Sequence, residues 1–594
     1  MLIIEFVVCV RVNQDRNGLF HFFIRRCVRA DCNKYAQYNA QQQGGGKSMN
    51  SNNHIAKILK GEGVQWVSCY PSNPLIEAVA QEGIRPIAFR HERGAVMAAD
   101  GYSRVSDRKR FGVVLMQSQA GAENSVGGLA QANADNVSIL VLPGGNPLSM
   151  LFVRPNFVAS RAWSDVVKSA ELITRPDQTS IVMRRAFHAL RTGRPAPVVV
   201  EMPADVCSQP IPDNALAYKS PQEIRYTPST SDISDAAKRL VDAENPLIWA
   251  GSGVLNAGAT EELKTLAELL NAPVFTTMPG KSAFDERHPL SLGAGGSTTT
   301  GPAREWLRGC DVLFAVGASL TSSPYAQRVG ADKFLIHSVI DQDEINKDTA
   351  ADIGLVGDAR LTLGSIIDSV RGLIGNENRD RGTHSRVQKS KASWMAMWQP
   401  YLTNDDSPLS PYRVIHEMNE NLDSENSIVT HDAGAPRDQI VPFYQATTPH
   451  SYIGWGKSTH LGFSIPLMIG AKMGMPERMC VNLMGDGAFG MSGLDIETSA
   501  RAEVPITTIV LNNGIMATYP GGFPVARKKF GVSHMQGDYA GLAIAMGAEG
   551  IRVKNSREMA PALQTAARLN KEGKTVLIDV HTRAENSRAP EHFT

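Results

Sequence analysis

From residue 49 onward, short continuous apolar runs alternate with helical patterns along the whole chain. Runs of about four to eight apolar residues between turn residues are typical of parallel strands buried on both faces. The predicted strands are 64–69, 84–90, 111–117, 137–142, 246–250, 273–277, 312–316, 334–340, 427–430, 479–484, 506–511 and 575–580. Because these strands alternate with helical patterns, we predict an α/β fold built from doubly wound parallel sheets.

The alternation falls into three blocks that are separated by polar stretches. At about 100–200 residues per domain, a chain of 594 residues accommodates three to five domains. The blocks are 49–207, 233–374 and 405–594, and each is long enough to bury its own core. Residues 208–232, which contain several prolines, and the charged stretch 376–390 are the predicted linkers. We therefore predict three doubly wound parallel-sheet domains.

The first 48 residues differ in composition from the rest of the chain. They contain three of the seven cysteines, four phenylalanines, and seven basic against three acidic residues. They end near the low-complexity run QQQGGG at residues 41–46. Their apolar stretch precedes the arginines, which is the reverse of the order in a secretory signal peptide. We expect residues 1–48 to be a disordered or non-native extension ahead of a start at Met49.

Charge and composition exclude several classes of protein. Lys and Arg number 60 against 59 Asp and Glu, so the net charge of +1 leaves no broad basic surface for nucleic acid. No run approaches the roughly 18–20 apolar residues that a transmembrane helix needs. The seven cysteines lack CxxC spacing, which disfavours a disulfide framework or a zinc ribbon and favours a reducing compartment. We therefore expect a cytoplasmic protein that binds neither nucleic acid nor membrane.

The strongest chemical signal lies at the ends of two successive predicted strands in the third block. Gly485-Asp486-Gly487 follows strand 479–484, and Asn512-Asn513-Gly514 follows strand 506–511. Ligands of open parallel sheets bind beyond the carboxyl ends of the strands. A carboxylate and an amide oxygen suit Mg²⁺, while glycines and a following helix, predicted at 492–503, bring backbone N–H groups to a phosphate. Each motif alone is common turn chemistry. Together they predict a site for a metal-bound diphosphate.

This pair of motifs resembles the fingerprint of thiamine-diphosphate-dependent enzymes, in which GDG is followed by NN. Here 24 residues, 488–511, separate the two motifs. The resemblance implies a cofactor site at Gly485, Asp486, Gly487, Ala488, Asn513 and Ile515. It further implies that Mg²⁺ is bound by the side chains of Asp486 and Asn513 and by the backbone carbonyl of Ile515.

A second motif, His91-Glu92-Arg93-Gly94-Ala95, opens the predicted helix 93–105. Because the helix dipole favours an acid at a helix start, a structural role for Glu92 is the simplest interpretation. The string is nevertheless similar to HEQGAxxAAxGYAR, which carries the catalytic glutamate of acetolactate synthase-like thiamine enzymes; Arg93 replaces its Gln. The resemblance implies that Glu92 binds the aminopyrimidine of the cofactor and exchanges a proton with it. Burial suits this role because desolvation raises the pKa of a carboxyl.

A third segment, residues 458–466, resembles the TMGYGLPAA string of the same enzymes. The resemblance implies that Leu461 is the bulky residue that bends the cofactor and that the Thr459 carbonyl accepts from its 4′-amino group. His460, beside this segment, is a candidate catalytic residue. The overall resemblance extends from about residue 50 to residue 585 and implies at least a homodimer, with a homotetramer common.

Enzymes of this family decarboxylate a 2-oxo acid and then either release an aldehyde or join the remaining fragment to a second carbonyl compound. We predict the second outcome, carboligation. Simple decarboxylation is the alternative, because Pro71-Ser72-Asn73 resembles a turn of benzoylformate decarboxylase-like enzymes. Gln117 then occupies the position of their active-site His and is a further catalytic candidate, although Gln does not shuttle protons at neutral pH.

Two further questions stay open at this point. FAD is a second cofactor of some relatives, but residues 319–322 replace the FDDR-like string and Gly251-Ser252-Gly253 is only a weak nucleotide signal. A non-catalytic subunit of the same fold is the remaining alternative. Such a subunit would be expected to lose the glutamate or the metal ligands, whereas Glu92, Asp486 and Asn513 are all present.

Overall fold

The computed structural model describes residues 12–14, 20–22, 49–106, 108–295, 299–323, 326–375, 381–516 and 522–585. The chain divides into two units, Met1–Asn50 and Ser51–Thr594. In the smaller unit, strands β1 (Val12–Gln14) and β2 (Phe20–Phe22) pair antiparallel. Most of the predicted extension 1–48 lies outside the described residues, so its disorder stays a prediction.

The first parallel sheet of the larger unit is built from the first predicted block. Its strands are β3 (Trp66–Cys69), β4 (Arg85–Ala88), β5 (Gly112–Met116), β6 (Ile139–Gly145), β7 (Ser169–Leu172) and β8 (Val198–Pro203). They lie in the order β4-β3-β5-β6-β8-β7, and every neighbouring pair is parallel. The chain places β4 on one side of β3 and then continues with β5 on the other side. Open α/β sheets bind ligands at such a point, here between β3 and β5.

The second sheet has a different strand order. Its strands are β9 (Pro246–Ala250), β10 (Val274–Thr277), β11 (Ser291–Gly295), β12 (Val312–Val316), β13 (Phe334–Val339) and β14 (Ile353–Val356). They form the parallel order β11-β10-β9-β12-β13-β14. Numbered within the sheet, this is the 3-2-1-4-5-6 order of dinucleotide-binding folds, with its crevice between β9 and β12.

The third sheet repeats the strand order of the first. Its strands are β15 (Ser427–His431), β16 (Tyr452–Ile453), β17 (Met479–Gly485), β18 (Thr507–Asn512), β19 (Glu549–Val553) and β20 (Val576–His581). They lie parallel in the order β16-β15-β17-β18-β20-β19, so the direction of winding reverses between β15 and β17. The predicted α/β class with three doubly wound parallel sheets is thus confirmed.

Helices connect the strands and cover the sheets. In the first block they are α1 (Ser51–Gly61), α2 (Leu75–Gln81), α3 (Glu92–Arg104), α4 (Ala120–Ala134), α5 (Ala159–Ala162), α6 (Thr179–Arg191) and α7 (Ala204–Cys207). In the second they are α8 (Thr230–Asp242), α9 (Ser252–Asn256), α10 (Thr260–Leu270), α11 (Gly301–Gly309) and α12 (Ala359–Ile374), followed by α13 (Thr383–Leu402). In the third they are α14 (Pro411–Asn421), α15 (Ala435–Ile440), α16 (Ser464–Gly474), α17 (Asp486–Ser492), α18 (Asp495–Arg501), α19 (Pro524–Phe530), α20 (Tyr539–Ala545) and α21 (Met559–Lys571).

Helix α13 contradicts part of the predicted second linker. Residues 383–390 belong to this 20-residue helix, not to a linker. Its buried side chains Val387, Trp394, Trp398 and Leu402 are spaced by seven, four and four residues, which places them on one helical face. The intervening charged residues concealed this spacing in the sequence. The buried face of α13 contacts both the second and the third sheet regions, so the helix joins them.

The helix predicted at 492–503 is also different in the structure. Helix α17 begins at Asp486, directly after β17, and α18 follows it after a two-residue break. Three glycines at 487, 490 and 493 lower the helix propensity of this stretch, which accounts for the wrong boundary. The position of the helix start matters because it places Asp486 and the next N–H groups at the carboxyl edge of the sheet.

Helices α3 and α16 join the first and third sheet regions through direct backbone contact. A Cβ atom at Gly101 would lie 2.0 Å from the carbonyl oxygen of Leu467, and one at Gly470 would lie 1.8 Å from that of Ala98. Only glycine permits this approach. Apolar residues of both helices continue into a core shared by the two regions. The helices therefore hold the two sheets in one fixed relation.

Within the described residues, no helix is long and apolar enough to cross a membrane. The domain boundaries predicted from the sequence stay predictions, although each parallel sheet lies inside one of the three blocks.

We predict that Gly470→Ala destabilises the fold by about 3 kcal/mol or more, because its methyl group would overlap the Ala98 carbonyl. A matched control is Gly364→Ala in helix α12, where nothing lies within 4 Å of the added Cβ. This control should gain about 1 kcal/mol from helix propensity. Thermal unfolding of both variants measures the two effects, and equal melting temperatures would contradict the close helix contact.

Candidate active site

A cavity of about 350 Å³ opens at the carboxyl edge of the third sheet. It lies where the strand order reverses, because its walls include the residues that follow β15 (433–437) and those that follow β17 (485–488). Residues after β18 and the segment between β16 and α16 complete it, contributing Asn513, Ile515, Thr459 and Leu461. Of the predicted cofactor and metal residues, the structure thus brings Gly485, Asp486, Gly487, Ala488, Asn513, Ile515, Thr459 and Leu461 to one cavity.

Asp486 holds the two strand-end loops together. One carboxylate oxygen accepts the N–H of Gly487 at 2.8 Å, and the other accepts the N–H of Gly514 at 2.8 Å. Burial raises the pKa of this carboxyl, and the N–H groups around it partly oppose that rise. The Asn513 side-chain oxygen in turn accepts the N–H of Ile515 at 2.9 Å.

The opposite wall carries Thr459 and Leu461 in a strained stretch of backbone. Thr459 has a φ of +52°, a left-handed conformation that is a genuine outlier for a β-branched residue. Strain of this kind persists only where surrounding structure imposes it, and it concentrates at functional sites. Leu461 presents its partly exposed side chain to the cavity.

Asp432 anchors the end of this stretch and was not predicted from the sequence. Its fully buried carboxylate accepts the N–H groups of Ala433 (2.8 Å), Gly462 (2.9 Å) and Ser464 (3.0 Å) and the Ser464 hydroxyl (2.7 Å). Burial raises its pKa, while these donors act in the opposite direction. The only signal in the sequence is its place directly after a buried strand, as for Asp486.

Glu92 is the first residue of helix α3 and is 3% exposed. Its carboxylate accepts from the side chain of Asn124 on α4 at 3.1 Å. Gln117 lies next to it, since a Cβ at Gly121 would meet both the Gln117 side chain and a Glu92 oxygen. Glu92 does not line the cavity itself. The neighbouring Arg93 donates to the carbonyl of Met491 at 2.8 Å, and Met491 does line it.

His460 faces helix α4 and does not line the cavity. A Cβ at Gly127 would lie 2.4 Å from its Nε2 atom, so the edge of the ring packs against that helix. Burial and the nearby Arg93 lower the pKa of His460. Neither His460 nor Gln117 is thus placed at the wall of this cavity, and their catalytic roles stay predictions.

Gln119, also unpredicted, begins helix α4 in a conformation that usually requires glycine. Its φ is +56° and its ψ is −120°. Its side chain donates to Asn146 at 2.9 Å and to Asn156 at 3.2 Å, and it accepts the N–H of Phe157 at 2.9 Å. These bonds hold the loop after β6 against the turn after β5, beside Gln117.

A second crevice lies in the region of the central sheet. It measures about 180 Å³ and includes Ser252 after β9, Gly317 after β12 and Lys457 from the segment that follows β16. Its position agrees with the reversal of strand order between β9 and β12. Lys457 donates to the Ser319 hydroxyl at 2.7 Å, which ties the central region to the wall of the first cavity.

Among the described residues, no group of three or more His, Cys, Asp or Glu side chains is arranged to hold a metal ion. The predicted Mg²⁺ ligands include only one such side chain, Asp486, together with an amide and a carbonyl. Mg²⁺ commonly binds through one or two carboxylates, waters and the phosphates of its ligand, so a single carboxylate at this place suits a metal-diphosphate.

Three family models match consecutive parts of the chain. They are described as the N-terminal TPP binding domain, the central domain and the C-terminal TPP binding domain of thiamine pyrophosphate enzymes, and they match residues 49–154, 233–366 and 432–580. This chain belongs to the family of thiamine pyrophosphate enzymes.

Within that family, the chain is similar to acetolactate synthase large subunits. It is 31% identical to a probable acetolactate synthase large subunit of Methanococcus aeolicus over 545 residues, which is 87% of this chain and 90% of the relative. A probable large subunit of Methanocaldococcus jannaschii is 32% identical over 77% of this chain and 79% of its own length. The isozyme 3 large subunit of Escherichia coli is 29% identical over 89% and 93% of the two chains.

Asp495 connects the cavity side of the third region to the segment that carries Glu92. Its buried carboxylate accepts the N–H of Arg90 at 3.0 Å and the hydroxyl of Thr498 at 2.9 Å. Its second oxygen lies so close to Gly94 that a Cβ there would be 2.5 Å away. Burial raises the pKa of Asp495 to about 6, so the folded protein holds its proton more tightly than the unfolded chain does.

We predict that Asp495 makes the stability of the fold depend on pH between about 4 and 7. Below pH 4 the carboxyl is neutral in both states. As the pH rises through about 6 the buried group ionises, and its desolvation lowers the free energy of unfolding by up to about 3 kcal/mol. The wild type should therefore lose stability relative to Asp495→Asn over this range. Chemical unfolding at pH 4 to 7 tests this, with exposed Asp368→Asn as the control; a constant difference between wild type and Asp495→Asn would contradict it.

Proposed function

We propose that this chain is a carboligase that uses thiamine diphosphate and Mg²⁺ to decarboxylate a 2-oxo acid and join the product to a carbonyl acceptor. The observation that carries the proposal is the single cavity that unites Asp486, Asn513, Thr459 and Leu461 at the switch point of the third sheet. These four residues were predicted from three separate motifs, and a single bound ligand would account for all of them. The similarity to acetolactate synthase large subunits supports carboligation.

The residues of the cavity fit a metal-bound diphosphate. Asp486 and Asn513 offer hard oxygen atoms, and Ile515 offers a carbonyl on the same loop. Gly485 and Gly487 leave the backbone open at the start of α17, whose first N–H groups favour an anion. Thr459 would offer its carbonyl to the amino group of the cofactor, and Leu461 would support the bend between its two rings.

When bound, thiamine diphosphate supplies an electron sink for the carbon that loses CO₂. The protein positions its groups around that chemistry. Glu92, buried and bonded to Asn124, holds or releases a proton at one carboxylate oxygen. Such a proton transfer contributes about 10²- to 10⁴-fold to a rate. Met491 and Met516 supply apolar side chains to the cavity wall.

The decarboxylase alternative loses part of its sequence support in the structure. Asn73 is buried, and its amide donates to the carbonyls of Met116 (2.9 Å) and Leu142 (3.0 Å) while its oxygen accepts the N–H of Leu75. These bonds join the end of β5, the middle of β6 and the start of α2, so a structural role accounts for this residue. The retained Glu92, Asp486 and Asn513 argue against a non-catalytic subunit.

We further propose an assembly of two or four copies located in the cytoplasm. The support for assembly is apolar surface near the cavity, where Phe523, Val525, Phe530 and Val532 expose more than half of their side chains around helix α19. We do not assign FAD to the central crevice, because Ser319 and Thr321 stand where the FDDR-like string would be and bond to one another.

We predict that thiamine diphosphate with Mg²⁺ raises the melting temperature of the protein, and that Asp486→Ala removes the Mg²⁺-dependent part of this rise. A ligand at 100 times its Kd stabilises the native state by about 2.7 kcal/mol. Differential scanning fluorimetry with cofactor, with and without Mg²⁺, measures the effect. Asp368→Ala, on the exposed side of α12, should respond as the wild type does. An unchanged wild-type melting temperature at saturating cofactor would refute the proposal.

We predict that Glu92→Gln lowers kcat at least about 100-fold while cofactor binding persists, because the amide keeps the volume and accepts from Asn124 but transfers no proton. The assay is CO₂ release from a panel of 2-oxo acids, with aldehyde and acyloin products separated. Exposed Glu123→Gln on helix α4 is the control and should keep normal turnover. Near-normal turnover of Glu92→Gln would rule out its proposed role, and aldehyde as the main product would favour decarboxylation.

A further inference from the structure

Residues 454–464 run from the end of β16 to the first residue of α16. They line both the crevice of the central sheet and the candidate cofactor cavity. Gly456 and Lys457 line the crevice of the central sheet, whereas Thr459 and Leu461 line the candidate cofactor cavity. This segment contains the strained Thr459, at a φ of +52°. Its conformation therefore needs support from elsewhere in the fold.

The first region supplies that support through a buried ionic network. Arg104, near the end of α3, forms ion pairs with Asp100 and Asp135, and both carboxylates are fully buried. The Arg104 guanidinium also donates to the carbonyl of Gly454 at 3.2 Å. The network thus contacts the first residue of the segment.

Asp135, which directly follows α4, makes the central contact. Its two carboxylate oxygens accept the N–H groups of Gly456 at 3.0 Å and Lys457 at 3.1 Å. Gln131, one turn earlier on α4, donates to Asp135 at 2.7 Å and accepts the N–H of His460 at 3.2 Å. Asp135 and Gln131 together therefore accept three backbone N–H groups of the segment, the last of them from His460, the residue next to Thr459.

These contacts need a side chain at position 135 that accepts hydrogen bonds at both of its oxygens. Asp135 accepts from two backbone N–H groups, from Gln131 and from Arg104, so every neighbour is a donor. An asparagine would aim an NH₂ group at one or more of these donors and leave buried polar groups without partners. A carboxylate is the one side chain of this size that satisfies them all.

We propose that Asp135, assisted by Gln131 and Arg104, is a positioning residue that holds the Thr459 carbonyl and Leu461 in the wall of the cofactor cavity. This inference rests on the proposed function, since it assigns those two groups to the cofactor. It assigns to the first region a second contribution to the site besides Glu92, made entirely through the backbone of residues 454–464.

The test compares Asp135→Asn with Asp100→Asn. Both variants remove one buried partner of Arg104, but only Asp135 contacts the segment. The readout is the rate at which the reactive C2 proton of bound thiamine diphosphate exchanges with deuterated solvent in the Mg²⁺ holoenzyme without substrate. Cofactor Kd and melting temperature are measured in parallel.

We expect Asp135→Asn to slow the exchange about tenfold or more, the effect of one strong hydrogen bond, while Asp100→Asn loses similar stability and exchanges near the wild-type rate. Adding Thr459→Gly to Asp135→Asn should restore part of the rate, because glycine adopts the left-handed conformation without strain. Equal losses in the two single variants, or no loss in Asp135→Asn, would overturn the proposal.

If Asp135→Asn fails to fold, Gln131→Met provides the second variant. It keeps the volume and retains the Asp135 carboxylate, but it removes the Gln131 donor to Asp135 and the acceptor for the N–H of His460. Slower exchange at unchanged cofactor Kd supports the positioning role, and a wild-type rate contradicts it. A wild-type holoenzyme that exchanges no faster than free thiamine diphosphate would instead show that the proposed function itself is wrong.

Discussion

The contact on which the site depends is the crossing of helices α3 and α16. At Gly101 and Gly470 the two backbones touch, and no side chain fits between them. Helix α3 begins with Glu92, and α16 begins where the Thr459–Leu461 wall ends. Because the helices are rigid and in direct contact, their amino ends have a fixed separation. The relative orientation of the first and third sheet regions of the chain therefore depends on two residues without side chains.

Three aspartates near the cavity each fix a loop by accepting its backbone N–H groups. Asp135, Asp432 and Asp486 each directly follow a helix or strand, and each accepts two or more backbone N–H groups from a glycine-containing loop. Hydrogen bonds to a charged acceptor contribute about 1.5–3 kcal/mol each. The loops around the site contain many glycines, so their own backbone entropy favours disorder. The hydrogen bonds to the three carboxylates hold these loops in one conformation.

The sequence predicts most of the strands but misses most of those at the sheet edges. Strands β9 and β12, central in their sheet, occupy the residues predicted for them. The edge strands β7, β11, β14, β16 and β19 were not predicted because they are short or carry few apolar residues. The interior strand β8 was also missed, although it is fully buried. The cavity residues Asp486 and Asn513 were predicted because strand ends and motifs coincide. Asp135 and Asp432 were not, since their partners lie up to 322 residues away in the chain and leave no local pattern. Helix α13 was missed because charges separate its buried side chains.

Gln119 combines an unfavourable backbone conformation with side-chain hydrogen bonds that order a neighbouring loop. Its left-handed conformation costs about 1–3 kcal/mol for a residue that is not glycine. In return, the side chain ties Asn146, Asn156 and the Phe157 N–H into one arrangement. A glycine would relax the turn and remove these bonds, so this chain gives up some folding stability for an ordered loop after β6.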